Sequence, residues 1–429
     1  VTAATDNNGS GGAEPVFELF LIGLSSHMLR VEWNKEGVMA EFNGALCKVR
    51  VLDLTDERGI YGAKLLADLG ADVVRPEPPG GDPLRQRGPH AEQAGAEMTS
   101  LWFAFFGTNR RFFTLDTNTQ SGLQQLTELA QNAQIILTCD HALGVDLLDW
   151  ETLQAANKSQ VVINTSSFGS KGPWKDFLAP DLVAGALGGV AATTGDVDTP
   201  PLKGFGELNF MVSGIYGAIA ALAALYDARE RGEGQRADIS VHETLVSCLE
   251  HVLMFYWYSQ QMMRPDNVLP RQGATHWSMA YTVMKGQNGS IMVTPTPDFD
   301  NQLAWLIEED AHDDLIDPMY MEPENLGLRI ERTMTLLAKW IADKDVEPLF
   351  HEAQQRHCPY GQVLPVEAVA DNPQLAARQW YQPYRVGDMS LQSPGAPYHF
   401  SETPWSLGVL GRPGQDTRQI LEDINWGQR

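Results

Sequence analysis

Lys48–Glu77, KVRVLDLTDERGIYGAKLLADLGADVVRPE, is the stretch whose reading decides the fold. KVRVLDLT is an apolar run of strand length, as a buried strand requires. YGAKLLADLGA has helical spacing and closes near Gly70, and DVVRPE is a second strand. Strand, helix and strand at this spacing form a βαβ unit, which predicts a parallel sheet. The alternation continues through RRFFTLD, a helix over Thr119–Asn132, the strand QIILT, a helix around Leu148–Ala156 and the strand QVVINTS. The expected fold class is α/β, with a Rossmann-like, doubly wound parallel sheet whose ligand crevice lies at the C-terminal strand ends.

Further along, Asn209–Arg231 reads as a long helix, RGEGQ as a turn, RADISV as a strand and Glu243–Gln260 as another helix. From Pro265 the pattern changes to short strands, around Tyr281–Lys285 and Ser290–Thr294, joined by a QNGS turn. A smaller α+β domain with an antiparallel sheet is therefore expected over residues 265–362, with helices near Asp298–Glu308 and Leu326–Asp343. The expected division is an extension, partly flexible, over 1–43; the first part of the large domain over 44–230; a linker strand and helix over 231–264; and a return segment over 363–429 that completes the large domain.

The chain has 429 residues, 43% of them hydrophobic, and a formal charge of -24. Such acidity excludes nucleic acid and anionic membrane as partners, since both need a basic footprint. The four cysteines form no CxxC pair, so neither a zinc site nor a disulfide framework is expected, and a reducing, cytoplasmic setting fits. No apolar run is expected to reach the length of a membrane span; the longest, Ile215–Tyr226, reads as a buried core helix. The N-terminal VTAATDNNGSGGAEP lacks the basic n-region of a secretory signal. The acidic runs around Glu308–Asp314 lack the spacing of a calcium loop. Neither GxGxxG nor GxxxxGK[ST] occurs, which argues against a dinucleotide or triphosphate site.

The candidate chemistry lies in Phe168–Gly189, FGSKGPWKDFLAPDLVAGALGG. Asp181 follows a Pro- and Gly-punctuated loop and opens an apolar helical run. From spacing alone it is a helix N-cap. The same position lets helix N-terminal amides hold a carboxylate ionised, and such a carboxylate is a competent nucleophile toward an activated acyl group.

Four blocks in order, VLDLT…LLADLGADVVRPEPPGGDPLR, NRRFFTLD, FGSKGPW…DLV and ALYDARERGEGQRADISVHE, resemble the family III CoA-transferases, the group of carnitine, bile-acid and formyl-CoA transferases. The resemblance runs from about Leu46 to the C-terminus. It implies an interlocked-ring homodimer with a Rossmann-like large domain built from both ends of the chain. It also implies acyl-CoA and a small carboxylic acid as substrates, with no metal, nicotinamide or flavin. Asp181 matches the family's nucleophile, which forms a mixed anhydride and then an aspartyl-CoA thioester. Coenzyme A contacts are implied for Glu57, Arg58 and Gly59 at the first strand-to-helix turn, and for Arg75, Arg85, Asn109 and Arg111. Arg suits phosphate because its planar fork donates paired hydrogen bonds. Gly169 is a candidate oxyanion donor. RQGATHW, with Gly273 and His276, falls where the family places a loop over the active site, and reads equally as a turn entering the smaller domain.

The chain departs from the family at Gly59-Ile60, often Gly-Pro, and at Cys139-Asp140, often Asn-Phe. A 2-methylacyl-CoA racemase of the same fold would use paired bases around one carbon; Pro180 precedes Asp181 where those enzymes usually carry His. A non-catalytic subunit is the third reading, motivated by the same departures.

Overall fold

A computed structural model describes residues 44–91, 99–140, 143, 145–196, 198–258, 271, 280–294, 299–386, 389–424 and 426. The extension over 1–43, most of 259–279 with Gly273 and His276, and His141 lie outside the described residues.

Six parallel strands form the main sheet: β1 (Arg50–Leu54), β2 (Asp72–Glu77), β3 (Arg110–Thr114), β4 (Ile135–Cys139), β5 (Val161–Ser166) and β6 (Arg236–Ser240), in the order β3-β2-β1-β4-β5-β6. Strand order reverses between β1 and β4, which register Val51 on Ile135 and Leu54 on Thr138. That reversal opens a crevice beyond the C-terminal ends of these two strands. β6 pairs with β5 from Val162↔Arg236 to Ser166↔Ser240, so the sheet extends past the boundary drawn at residue 230. The local pattern of RADISV announces a strand but carries nothing about which sheet receives it.

Both faces of the sheet are covered. On one lie α1 (Ile60–Asp68) and the long helix α6 (Leu208–Arg231), whose Ala218, Ala221, Ala224 and Ala228 pack on Val51, Val73, Ile135 and Ile163. The other is covered by α3 (Gln120–Asn132), with Leu126 and Leu129, and α4 (Trp150–Ala156), with Leu153. Two further helices complete the numbering before α6: α2 (Leu101–Phe106) and α5 (Asp181–Leu187). Alanine and glycine on α6 let it approach closely: a Cβ on Gly62 of α1 would lie 2.6 Å from the Gly214 carbonyl oxygen. By length and composition α6 does qualify as a membrane-crossing helix, contrary to the expectation above, but half of its apolar window is buried within the protein. It is used as a core helix.

A second core gathers around the antiparallel strands β7 (Thr282–Lys285), β8 (Ser290–Val293) and β9 (Gly361–Gln362). Ile291 and Val293 pack there with Trp305, Leu306, Leu337 and Ile341 from the helices α7 (Phe299–Glu308) and α8 (Leu326–Ile341). The C-terminal segment then rejoins the first sheet. Asp416 accepts from the Phe112 N–H at 2.8 Å, and Ile420 packs with the α3-side core. A hairpin of β10 (Tyr381–Val386) and β11 (Met389–Pro394) packs on Ala104 of α2.

Candidate active site

Asp181 is not the cap of its own helix. Pro180 holds the N-cap position of α5 without a side-chain hydrogen bond, and Asp181 is the first helical residue. Its carboxylate turns to the next helix instead. Oδ1 accepts from the Phe210 backbone N–H at 3.1 Å, and Oδ2 accepts from Asn209 Nδ2 at 3.0 Å. Phe210 lies in the first turn of α6, where backbone N–H groups have no intrahelical partner and the macrodipole favours an anion. The Lys203 ammonium stands 3.2 Å from Oδ2. Asn209 Nδ2 also donates to the Asp181 carbonyl at 3.0 Å, in a fit that needs Gly185, because a Cβ there would lie 2.6 Å from that nitrogen. The side chain of Asp181 is only 7% exposed.

A second carboxylate occupies the same helix end, one that no sequence motif singles out. Glu207 is the N-cap residue of α6. It pairs with Arg87, and its Oε2 accepts from Trp102 Nε1 at 3.1 Å. The Arg87 guanidinium lies over the Trp102 ring, 4.6 Å from its centroid, and reaches to 3.9 Å from Glu57. Burial pushes the Glu207 carboxyl above its ordinary range, against the opposing pull of Arg87 and the Trp102 hydrogen bond. A shifted, partly open carboxyl with a specific cation beside it marks a functional-site candidate. The signal in the sequence was an acid directly preceding a long helix, which many surface helices share.

The expected coenzyme A residues divide into two groups. Glu57, Arg58 and Gly59 stand at the switch-point crevice, between β1 and α1. Arg58 Nε binds Asp56 at 2.9 Å and Nη2 donates to the Asp140 carbonyl at 3.0 Å, so the side chain bridges the β1 and β4 ends of the crevice. The Arg58 carbonyl accepts from Ser213 Oγ at 2.8 Å, tying this turn to α6. Gly59 is required by close packing, since a Cβ would meet Thr55 Cγ2 at 2.7 Å and Cys139 Sγ at 3.2 Å.

The other four are engaged inside the fold. Arg75 is buried between Asp53, at 3.0 Å, and Asp82, at 2.6 Å. Arg85 binds Glu77 at 2.6 Å and the Gly411 carbonyl at 3.0 Å, between the Phe103 and Phe112 rings. Asn109 donates to Asp68 and to the Ser406 carbonyl. Arg111 pairs with Asp72 at the N-terminal edge of the sheet, opposite the crevice. The guanidinium groups of Arg75, Arg85 and Arg111 each already hold a carboxylate of the fold. The oxyanion expectation for Gly169 meets a similar obstacle: its N–H donates to Ser166 Oγ at 2.8 Å, and the Ser170 N–H donates to Asp238 at 2.7 Å.

Beyond the ends of β4 and β5 lies a cleft of about 500 Å³, lined among others by Thr138, Asp140, Asn164, Trp150 and Arg236. Asn164 holds Asp140 at 3.0 Å, and Arg236 lies over the Trp150 ring at 4.9 Å.

Comparison with known proteins gives one consistent result. The family model described as CoA-transferase family III matches residues 46–417. The succinyl-CoA:(R)-benzylsuccinate CoA-transferase subunit BbsE of Thauera aromatica is 27% identical over 391 residues, covering 88% of this chain and 94% of that protein. The succinyl-CoA:mesaconate CoA-transferase of Haloarcula hispanica is 29% identical over 380 residues, covering 85% and 92%. The formyl-CoA:oxalate CoA-transferase of Streptomyces avermitilis is 28% identical over 352 residues, covering 78% and 84%. Among solved structures, a CAIB/BAIF family protein from Brucella suis superposes with a TM-score of 0.73 at 23% identity, covering 89% of this chain and all of that one.

Proposed function

The chain belongs to CoA-transferase family III, and on that premise we propose that it moves coenzyme A from an acyl-CoA donor to a carboxylic acid through an acyl group carried on one of its own carboxylates. The observation that carries this reading is the meeting of Asp181 and Glu207 at the N-terminal end of α6, which Ser213 ties to the switch-point turn.

The chemistry needs neither ATP nor a metal. A carboxylate oxygen attacks the thioester carbonyl, and coenzyme A leaves as the thiolate, which produces a mixed anhydride. The thiolate then attacks the enzyme's carbonyl carbon, releasing the donor acid and leaving an enzyme-CoA thioester. The acceptor carboxylate attacks that thioester, and the departing thiolate attacks the acceptor's carbonyl in the new anhydride, restoring the free carboxylate. Water must stay out, because it would hydrolyse the anhydride. The first-turn amides of α6 supply donors for the developing oxyanion.

The resemblance assigns the covalent step to Asp181. A second assignment, to Glu207, rests on geometry. Both Asp181 oxygens are engaged by an amide N–H, a side-chain amide and an ammonium within a nearly closed pocket, an arrangement suited to holding α5 on α6. Glu207 is more open, with 18% of its side chain exposed against 7% for Asp181, and its partner Arg87 is a third exposed. Both Glu207 oxygens are engaged as well, by Arg87 and by Trp102 Nε1, so greater exposure is what favours Glu207. Incubation with an acyl-CoA, borohydride or hydroxylamine trapping, and peptide mass spectrometry identifies the acylated residue; modification of neither carboxylate refutes the proposal.

The relatives named above act on succinyl-CoA, oxalate or mesaconate, whose acids carry two carboxylates. That supports a dicarboxylic acid as one substrate here. We further propose a homodimer with interlocked chains. Phe177, Leu178, Leu182, Phe205 and Ile219 expose apolar side chains in and around α5 and α6, and a second copy would cover them. Sedimentation equilibrium tests this: a monomer at micromolar concentration refutes it. The word "subunit" in the name of the Thauera relative favours one alternative, pairing with a different chain; transfer by the purified single chain refutes that alternative.

A further inference from the structure

We propose that Arg87 reads the far carboxylate of a dicarboxylic acyl group, so that the site selects dicarboxylic over monocarboxylic acids of equal chain length. This deepens the function proposed above and rests on it. Arg87 follows the short helical turn Pro83–Gln86, on the side of the sheet where β2 ends. It differs in openness from the other arginines of this region: its side chain is 33% exposed, against 13% for Arg58, 5% for Arg75, 12% for Arg85 and 0% for Arg110.

Its partners leave capacity unused. One end of the guanidinium binds Glu207, and the other stands 3.9 Å from Glu57, beyond hydrogen-bond distance. A guanidinium has five N–H donors in a rigid fork that matches a carboxylate's two oxygens. The Trp102 ring beneath it fixes the plane of that fork, while the Trp102 N–H holds Glu207 alongside. Glu57 is 38% exposed, so an arriving carboxylate can take its place while Glu57 returns to water. A methyl group in the same place would leave a partly buried cation facing an apolar surface, which is unfavourable.

The test is independent of the natural acceptor. Each acyl-CoA is mixed with its own carbon-13-labelled acid, and label entering the thioester is followed by mass spectrometry. Succinyl-CoA is compared with butyryl-CoA, and glutaryl-CoA with valeryl-CoA, each pair differing in a terminal carboxylate against a methyl. The wild-type protein is expected to favour the dicarboxylic member in kcat/KM by about 10- to 100-fold, the worth of a charge-assisted contact. Arg87→Gln is expected to collapse that ratio toward one, and Arg87→Lys, which keeps the charge without the fork, to give an intermediate ratio. Only the ratio is read, so a general effect through Glu207 or on stability cancels. An unchanged ratio in both variants, or no preference in the wild type, overturns the inference and leaves CoA transfer standing. Absence of exchange with all four donors overturns the inference together with the function.

Discussion

Replacing Asp181 by Asn, in parallel with Glu207→Gln, separates a structural tie from a nucleophile. In Asp181→Asn one oxygen remains to accept from the Phe210 N–H, but the new amide nitrogen faces Asn209 Nδ2 and the Lys203 ammonium. Stranding one buried donor costs about 1–3 kcal/mol. The Lys203 pair, 30% exposed on the lysine side, adds about 0–1 kcal/mol. Asp181→Asn should therefore lose about 1–4 kcal/mol of stability in urea unfolding. Glu207→Gln keeps an oxygen for Trp102 and gives up a half-open ion pair, so its loss should stay below about 1 kcal/mol. The activities are expected to divide the other way. An amide cannot form the anhydride, so the variant lacking the nucleophile should lose at least about a thousandfold in the exchange rate. Geometry predicts that loss in Glu207→Gln. Asp181→Asn at wild-type stability would show that the described cradle has no energetic consequence. Undiminished exchange in Glu207→Gln places the covalent step on Asp181, and undiminished exchange in both variants refutes a carboxylate intermediate at this helix end.

Gly62→Ala should destabilise the protein by about 1–3 kcal/mol, because the new methyl carbon would lie 2.6 Å from the Gly214 carbonyl and force α1 away from α6; an unchanged melting temperature refutes the close crossing. With Glu207 as nucleophile, exchange requires its ionised form, and burial places its titration above the ordinary 4.5. The rate should fall as pH drops through that raised value, and Arg87→Gln should move the acid limb upward, because Arg87 favours the carboxylate. A limb at or below 4.5, or one that Arg87→Gln leaves in place, counts against Glu207.

Much of the parallel sheet was legible because its strands are short apolar runs separated by amphipathic helices, and DVVRPE over Asp72–Glu77 is assigned to the residue. Other elements carry little local signal. LWFAFF of α2 is apolar throughout and has no face to detect, while β10 and β11 mix polar residues with proline. The arginine assignments rested on strand-end position and on the family resemblance, neither of which says anything about pairing. In a chain with 55 acidic residues to 31 basic ones, Arg75 and Arg110 both converge on the buried Asp53, at 3.0 and 2.9 Å. The acid is in turn held below its usual range: burial pushes its pKa up, and the two guanidinium groups pull it further down. A cationic strand end in such a chain is most cheaply used as the counterion of its own fold.

The same non-locality governs the candidate nucleophiles. Asp181 was singled out for the helix it begins, yet its carboxylate is held by residues 28 and 29 positions later, at the start of α6. That helix end is joined to the crevice by a chain of contacts: Ser213 to the Arg58 carbonyl, Arg58 to the Asp140 carbonyl, and Arg87 between Glu57 and Glu207. Each link crosses between segments far apart in sequence, so no motif of ordinary length contains the site. The unit that defines it is the N-terminus of one long, partly buried helix, where two acids with different partners divide the work. Asp181 is enclosed and saturated with donors, whereas Glu207 is raised in pKa and borders an open guanidinium. If one holds the helix and the other reacts, stability and turnover will respond to different substitutions at the same helix end, and that separation is what distinguishes a built active site from a coincidental pair of acids.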